Sequence, residues 1–229
     1  MSRPTKNDDQ VVPTKGMEWW RRTFQYKTGL GLTAEEKSKY EKDYSTILQR
    51  SQCEKCYEQR DWMLKFSPTV RFMTQRISSL QPGIKFDEKI FCDICDDTKS
   101  GGFHPELGIL LCQNQLKDKW HLEDTLSHEL IHWFDELKWK VDWLNLKHHA
   151  CSEIRASNLS GECRFWQEFS RRGFGFKVSR GQQNCVKRRA VLSVMGNPSC
   201  QNKEQAERVV DEVWESCFND TRPFEEIYR

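Results

Sequence analysis

No stretch of the 229-residue chain is apolar over anything near the roughly 18 residues a helix needs to span a bilayer, so no transmembrane helix is expected. The opening residues, MSRPTKNDDQ, have neither the apolar core of a secretory leader nor the acid-free, arginine-rich amphipathicity of a transit peptide. Passage across a membrane would therefore rely on another signal. An excess of one charge is also missing: 36 Lys and Arg against 34 Asp and Glu leave a net +2. That balance gives no global attraction to nucleic acid, and no RNA- or DNA-binding signature accompanies the local basic stretches, so a nucleic-acid partner is excluded. Histidine is scarce, with six in the chain.

Cysteine, by contrast, is abundant. Ten occur, at Cys53, Cys56, Cys92, Cys95, Cys112, Cys151, Cys163, Cys185, Cys200 and Cys217, which permits five disulfides and suggests an oxidising compartment. The competing readings are a four-thiolate zinc ribbon from Cys53-x-x-Cys56 and Cys92-x-x-Cys95, weakened by the wide gap between the pairs, and free buried thiols acting as small hydrophobes. Single cysteines scattered after position 112 favour stapling between helices. The pairing itself is not legible.

Two of the few histidines fall in TLSHELIHWFDELKW, residues 125–139, as His128-Glu129-Leu130-Ile131-His132. Four residues along a helix advance about 6 Å and about 40° past one turn, so both imidazoles leave the same face. They can meet on one Zn²⁺ at about 2.0–2.1 Å, with Glu129 beside the first as general base rather than ligand. Leu122, Leu126, Leu130, Trp133, Phe134 and Leu137 recur at three- and four-residue spacings, which buries the helix and makes it a rigid support.

Residues 1 to about 17 are polar and punctuated by Pro4 and Pro13, which predicts disorder. Thr33 and Glu36 form a capping box ahead of a helix expected to run to about Cys56. Pro68 breaks the chain, and Val70, Met73, Ile77 and Leu80 mark a second amphipathic helix ending before Pro82-Gly83. Residues 100–112 read as two short strands around a Pro-Glu-Leu-Gly turn. Such a hairpin ahead of the motif helix would set a strand edge along a metal cleft, where an extended peptide could add by main-chain hydrogen bonds. His104 reads as a turn residue. Two more helices are expected over residues 182–195 and 201–217, with Cys185, Cys200 and Cys217 placed to staple them to the core.

A catalytic zinc needs a third protein ligand. The extended H-E-x-x-H-x-x-G-x-x-H pattern is absent, because Asp135 and Lys138 stand at its Gly and His positions. Residues 141–163 supply the candidates, on a second helix closed by Gly161. Glu153, 21 positions after His132, is the favoured ligand and His149, one turn earlier, the alternative. Asp142 and His148 are left as orienting or surface groups. His148, His149 and Arg155 are candidate oxyanion donors.

The segments FCDICDDTKSGGFHPELGILLCQN, HELIHWFDELKWKVDW, LKHHACSEIRASNLSGEC and VDEVWESCFNDTRPF, in this order, resemble successive blocks of the mitochondrial inner membrane zinc metalloproteases that process and assemble ATP synthase subunit 6. The resemblance implies His128 and His132 as zinc ligands, Glu129 as the catalytic residue and one catalytic Zn²⁺. It implies a peripheral protein on the intermembrane-space side of the inner membrane. There it would remove the presequence of the subunit 6 precursor and assist that subunit's assembly with the subunit 9 ring. The expected fold is α+β and zincin-like: a small sheet, the HExxH helix and a disulfide-tied helical C-terminal part. A flexible segment over 1–32 and a single metallopeptidase domain over 33–229 are expected. Arg164, Arg171, Arg172, Lys177, Arg180, Lys187, Arg188 and Arg189 face only Glu168 in sequence, so anionic inner-membrane lipids are a candidate partner. The rival reading is an assembly chaperone whose zinc is mainly structural.

Overall fold

Thr33 starts the longest element: its side chain accepts from the Glu36 amide while Glu36 reaches back to the Thr33 amide, closing the capping box. The computed structural model describes residues 16–29, 31–96, 99–163 and 178–225. The polar start, residues 1–15, lies outside them, as does the basic run 164–177. Ahead of Thr33, inside the stretch expected to be flexible, Met17–Thr28 forms helix α1. Its Trp19 and Tyr26 stack on Tyr40 of α2 (Ala34–Phe66), and Arg22 pairs with Asp43 at 2.8 Å.

Helix α2 runs ten residues past the expected end at Cys56, because no Gly or Pro interrupts it before Ser67-Pro68. Ser67 ends α2 and caps α3 (Pro68–Leu80), whose first position suits proline since its missing N–H has no helical partner anyway. A single turn, α4 (Phe86–Lys89), leads into β1 (Ile90–Asp93). Strands β2 (Gly101–His104) and β3 (Gly108–Cys112) form the expected hairpin, and β1 joins β3 in parallel to give the order β1-β3-β2. Gly108 has φ 102°, and a Cβ there would sit 2.1 Å from the Lys89 carbonyl oxygen. Only glycine lets β3 start this close to the end of α4.

The motif helix is α5 (Lys119–Trp139), capped by Asp118, whose side chain accepts from the His121 amide. Met63, Val70, Met73 and Ile77 from α2 and α3, Ile90, Ile109 and Leu111 from the sheet, and Leu122, Leu126, Leu130 and Ile131 from α5 build one core. A second core lies among α6 (Leu146–Leu159), α7 (Val178–Met195) and α8 (Lys203–Phe218). Helices α5 and α6 pack together between the two. A polar site at that seam is held from both sides.

Four disulfides form rather than the five permitted: Cys56–Cys92, Cys95–Cys112, Cys151–Cys217 and Cys163–Cys185. Cys53 and Cys200 are free thiols, so Cys200 is not a staple. The zinc-ribbon reading fails because Cys56 and Cys92 bond to each other and Cys95 bonds to Cys112, which leaves Cys53 as the one free thiol of the four. Cys56 faces β1 from the buried side of α2, whereas Cys53 sits one turn back and misses it. The bridges of Cys151 and Cys185 tie α6, α7 and α8 as the sequence suggested.

Candidate metal centre

His128 and His132 leave the buried face of α5, and Glu153 meets them from α6. The His128 and His132 Nε2 atoms are 3.0 Å apart, and the Glu153 carboxylate oxygens lie 3.6 Å from His128 Nε2 and 3.4 Å from His132 Nε2. Tetrahedral coordination with bonds of about 2.0–2.1 Å requires neighbouring donors about 3.3–3.4 Å apart, so the three groups fit one ion.

The remaining imidazole nitrogens are held from outside. His128 Nδ1 faces Glu162 Oε1 at 3.1 Å, and Arg189 of α7 pairs with the other Glu162 oxygen at 2.5 Å. His132 Nδ1 meets Ser152 Oγ at 2.8 Å, while that hydroxyl donates to Asp135 at 3.0 Å. Because Ser152 spends its proton on Asp135, it accepts from Nδ1–H, which leaves the His132 Nε2 lone pair pointing inward. Glu162 acts the same way on His128. Two lone pairs and a carboxylate thus converge, and a cation reconciles them.

Charge follows the same arrangement. Burial opposes ionisation of Glu153, but the charge of His132 and hydrogen bonds from His128, His132 and His149 hold it well below the usual carboxylate range. Glu162, also disfavoured by burial, is brought down to about 2 by His128 and Arg189. Burial lowers the proton affinity of His128, yet Glu162 and Glu153 win and raise it well above an ordinary histidine. Glu129 is different: burial raises it, and His128 and His132 only partly compensate. A carboxylate of raised proton affinity beside the converging donors suits a general base.

The sheet supplies the other wall. A Cβ on Gly101 of β2 would lie 2.7 Å from Thr125 Cγ2, 3.0 Å from the Leu110 carbonyl oxygen and 3.5 Å from Glu129 Cγ. Among the described residues β2 pairs only with β3, so its other edge has no strand partner, while the face at Gly101 lies against Glu129. Phe103 of β2 stacks on Trp133 at 5.7 Å, and Trp143 stands edge-on to His132 at 5.6 Å. Trp143 is in turn fixed by its Nε1–H, which donates to Glu136 at 2.8 Å.

The structure separates the remaining sequence candidates. His149 Nε2 is 3.4 Å from Glu153, but the ring is occupied by Asn197 at 2.9 Å and Ser193 at 3.4 Å, so it orients the carboxylate from behind. His148 is exposed and accepts from the Asp142 amide; Asp142 carries no ligand role. Arg155 is no oxyanion donor. Its buried guanidinium is locked on Asp135 at 3.1 Å, on Asp220 at 2.7 Å and on the Arg222 carbonyl. His104 is exposed at the end of β2, where its ring accepts from the Glu106 amide. Sequence reasoning missed Glu162, Arg189, Ser152, Asp135 and Trp143. Only Ser152, next to Glu153, carried a local cue.

The sequence signature of the Peptidase M76 family matches residues 54–225, the segment that contains every residue of this centre. The chain belongs to the Peptidase M76 family. Its His128, His132 and Glu153 form the metal-binding group of a metallopeptidase. This M76 chain is 70% identical over 235 residues to the Mitochondrial inner membrane protease ATP23 of Kluyveromyces lactis, covering 99% of this chain and 94% of the relative. It is 72% identical over 219 residues to the protein of the same name from a Saccharomyces cerevisiae strain, with 93% and 96% covered. The Meyerozyma guilliermondii protein of that name is 56% identical over 227 residues, with 99% and 92% covered. No solved structure matches the M76 chain. No helix among its described residues is long and apolar enough to cross a membrane.

Proposed function

We propose that this M76 peptidase is a zinc-dependent endopeptidase of the mitochondrial inner membrane, peripheral on the intermembrane-space side. It removes the presequence of the ATP synthase subunit 6 precursor and assists that subunit's assembly with the subunit 9 ring. The observation that carries the enzymatic part is the convergence of His128 Nε2, His132 Nε2 and Glu153 with Glu129 alongside. The four disulfides support an oxidising compartment. Substrate and assembly roles are supported by the resemblance of four ordered sequence blocks and by the inner-membrane relatives.

His128, His132 and Glu153 would hold a divalent ion, proposed to be Zn²⁺, which when bound would supply Lewis acidity toward a scissile carbonyl and water. Glu129 accepts the proton of the attacking water and hands it to the leaving amine nitrogen. Ser152 and Glu162 keep the ligand imidazoles in one tautomer and one orientation. The open edge of β2 takes the substrate as an added strand, with main-chain hydrogen bonds laying the scissile bond past Glu129. Trp143 and Phe103 shield the pocket from water.

The test is cleavage of the subunit 6 precursor by oxidised wild type and by Glu129→Gln, with zinc measured on both. The expected result is full zinc content in each and a loss of about 10²- to 10⁴-fold in cleavage by the variant. Equal cleavage by a zinc-loaded variant would remove Glu129 from the reaction. If neither protein cuts while both hold zinc and support assembly, the chaperone reading replaces the peptidase one.

A further inference from the structure

Helix α1 is coated with large side chains on both faces. Trp19 and Tyr26 turn inward, stacking on Tyr40, and Tyr26 donates to Glu41 at 2.8 Å. Met17, Trp20 and Phe24 turn outward and are 79%, 62% and 51% exposed, with the Trp20 and Phe24 rings stacked at 5.6 Å. Inward packing fixes the helix, so the outer stripe cannot roll under cover.

Two cations border that stripe. At about 100° per residue, Arg21 falls about 40° to one side of Met17 and Lys27 about 80° to the other. Both are exposed, whereas Arg22 is turned inward and paired with Asp43. An apolar ridge with a cation along each edge is the pattern of a helix lying in a bilayer interface, rings among the acyl chains and cations at headgroup phosphates.

Placement agrees. The helix lies ahead of the 54–225 segment that the peptidase family matches. Tyr40, where α1 packs, is nine residues before Gln49, whose carbonyl accepts from Gln113 of the peptidase body, a separation of about 14 Å along α2 at 1.5 Å per residue. It is an arm beside the peptidase body. Most of the basic run 164–189 lies outside the described residues, and of those described Lys187 pairs with Asp211 and Arg189 with Glu162.

We infer that the Met17–Trp20–Phe24 face of α1, edged by Arg21 and Lys27, is the surface by which this chain docks on an anionic phospholipid bilayer. The inference rests on the reading that the protein works at a membrane it does not span, and is independent of its substrate.

The experiment is sedimentation of the oxidised full-length protein with vesicles of equal parts phosphatidylcholine and phosphatidylglycerol, and with phosphatidylcholine alone, beside cleavage of a soluble peptide. The Met17→Ser/Trp20→Ser/Phe24→Ser variant should lose at least about tenfold in partitioning while cutting the peptide at the wild-type rate. Arg21→Gln/Lys27→Gln, which leaves the inward packing alone, should lose about fivefold per charge on the anionic vesicles only. Unchanged binding of both variants overturns the inference, as does a wild type that binds neither vesicle. A wild-type dimer that the serine variant splits would assign the face to a second copy of the chain and also overturn it. Failure to cut the subunit 6 precursor would bear on the enzymatic proposal alone.

Discussion

Glu162→Gln isolates what the far side of His128 contributes. The buried carboxylate lies 3.1 Å from His128 Nδ1, and its other oxygen is 2.5 Å from Arg189. The amide keeps the shape and one acceptor oxygen but loses the charge that strengthens the imidazole as a donor to metal. Removing a group of this kind weakens metal binding about 10- to 100-fold, equivalent to about 1.4 to 2.8 kcal/mol. Competition with a chromophoric chelator for Zn²⁺ on oxidised protein reads the change directly. Arg189 is partly exposed, so leaving it opposite a neutral amide adds little cost, and Arg189→Met should not weaken metal binding. A Glu162→Gln affinity within twofold of wild type would refute the reasoning, as would an equal loss in Arg189→Met. The metal-free protein gives a second readout. The Glu162 carboxyl sits at about 2, below its ordinary value of 4.5, so it stabilises the fold fully above pH 4.5. That stabilisation disappears as pH falls towards about 2, and the variant should lack this part of the acid transition.

Gly101→Ala forces a methyl against Thr125 and the Leu110 carbonyl, moving β2 off α5 next to Glu129. It should cost about 1–3 kcal/mol by urea unfolding and reduce peptide cleavage more than zinc content; wild-type values for both would show that the strand does not set the cleft. Unfolded without reductant, the chain should react two thiols, Cys53 and Cys200, and ten after reduction. Replacing Cys151 and Cys217 by Ala opens a link across 66 residues and should cost about 4 kcal/mol, while Cys200→Ala should be close to neutral.

The chemistry that was legible in the sequence is the chemistry that is local. His128 and His132 share a helix face because of their spacing, and Thr33 with Glu36, or the turn between β2 and β3, act over three or four residues. Glu153 was within reach of inference because a short connection returns α6 against α5. Its choice over His149 was decided by packing, which commits the His149 ring to Asn197 and Ser193. Arg155 illustrates the opposite case. A cationic side chain near a metal motif suggests an oxyanion donor, but the sequence does not say that Asp135 faces it.

By itself, then, the sequence determined the existence of α2, α3, α5, α6, α7 and α8 but not of α1 or α4, and it determined the hairpin, the paired histidines and the abundance of thiols, since propensity, capping and periodicity are properties of neighbours along a chain. Tertiary structure alone decided which cysteines meet, that Glu162 and Arg189 back His128 from 34 and 61 positions away, and that Ser152 and Asp135 fix His132. It also decided that α1 turns three large apolar side chains outward. These depend on how rigid elements dock, and docking is settled by the summed burial of two cores rather than by any short run of residues.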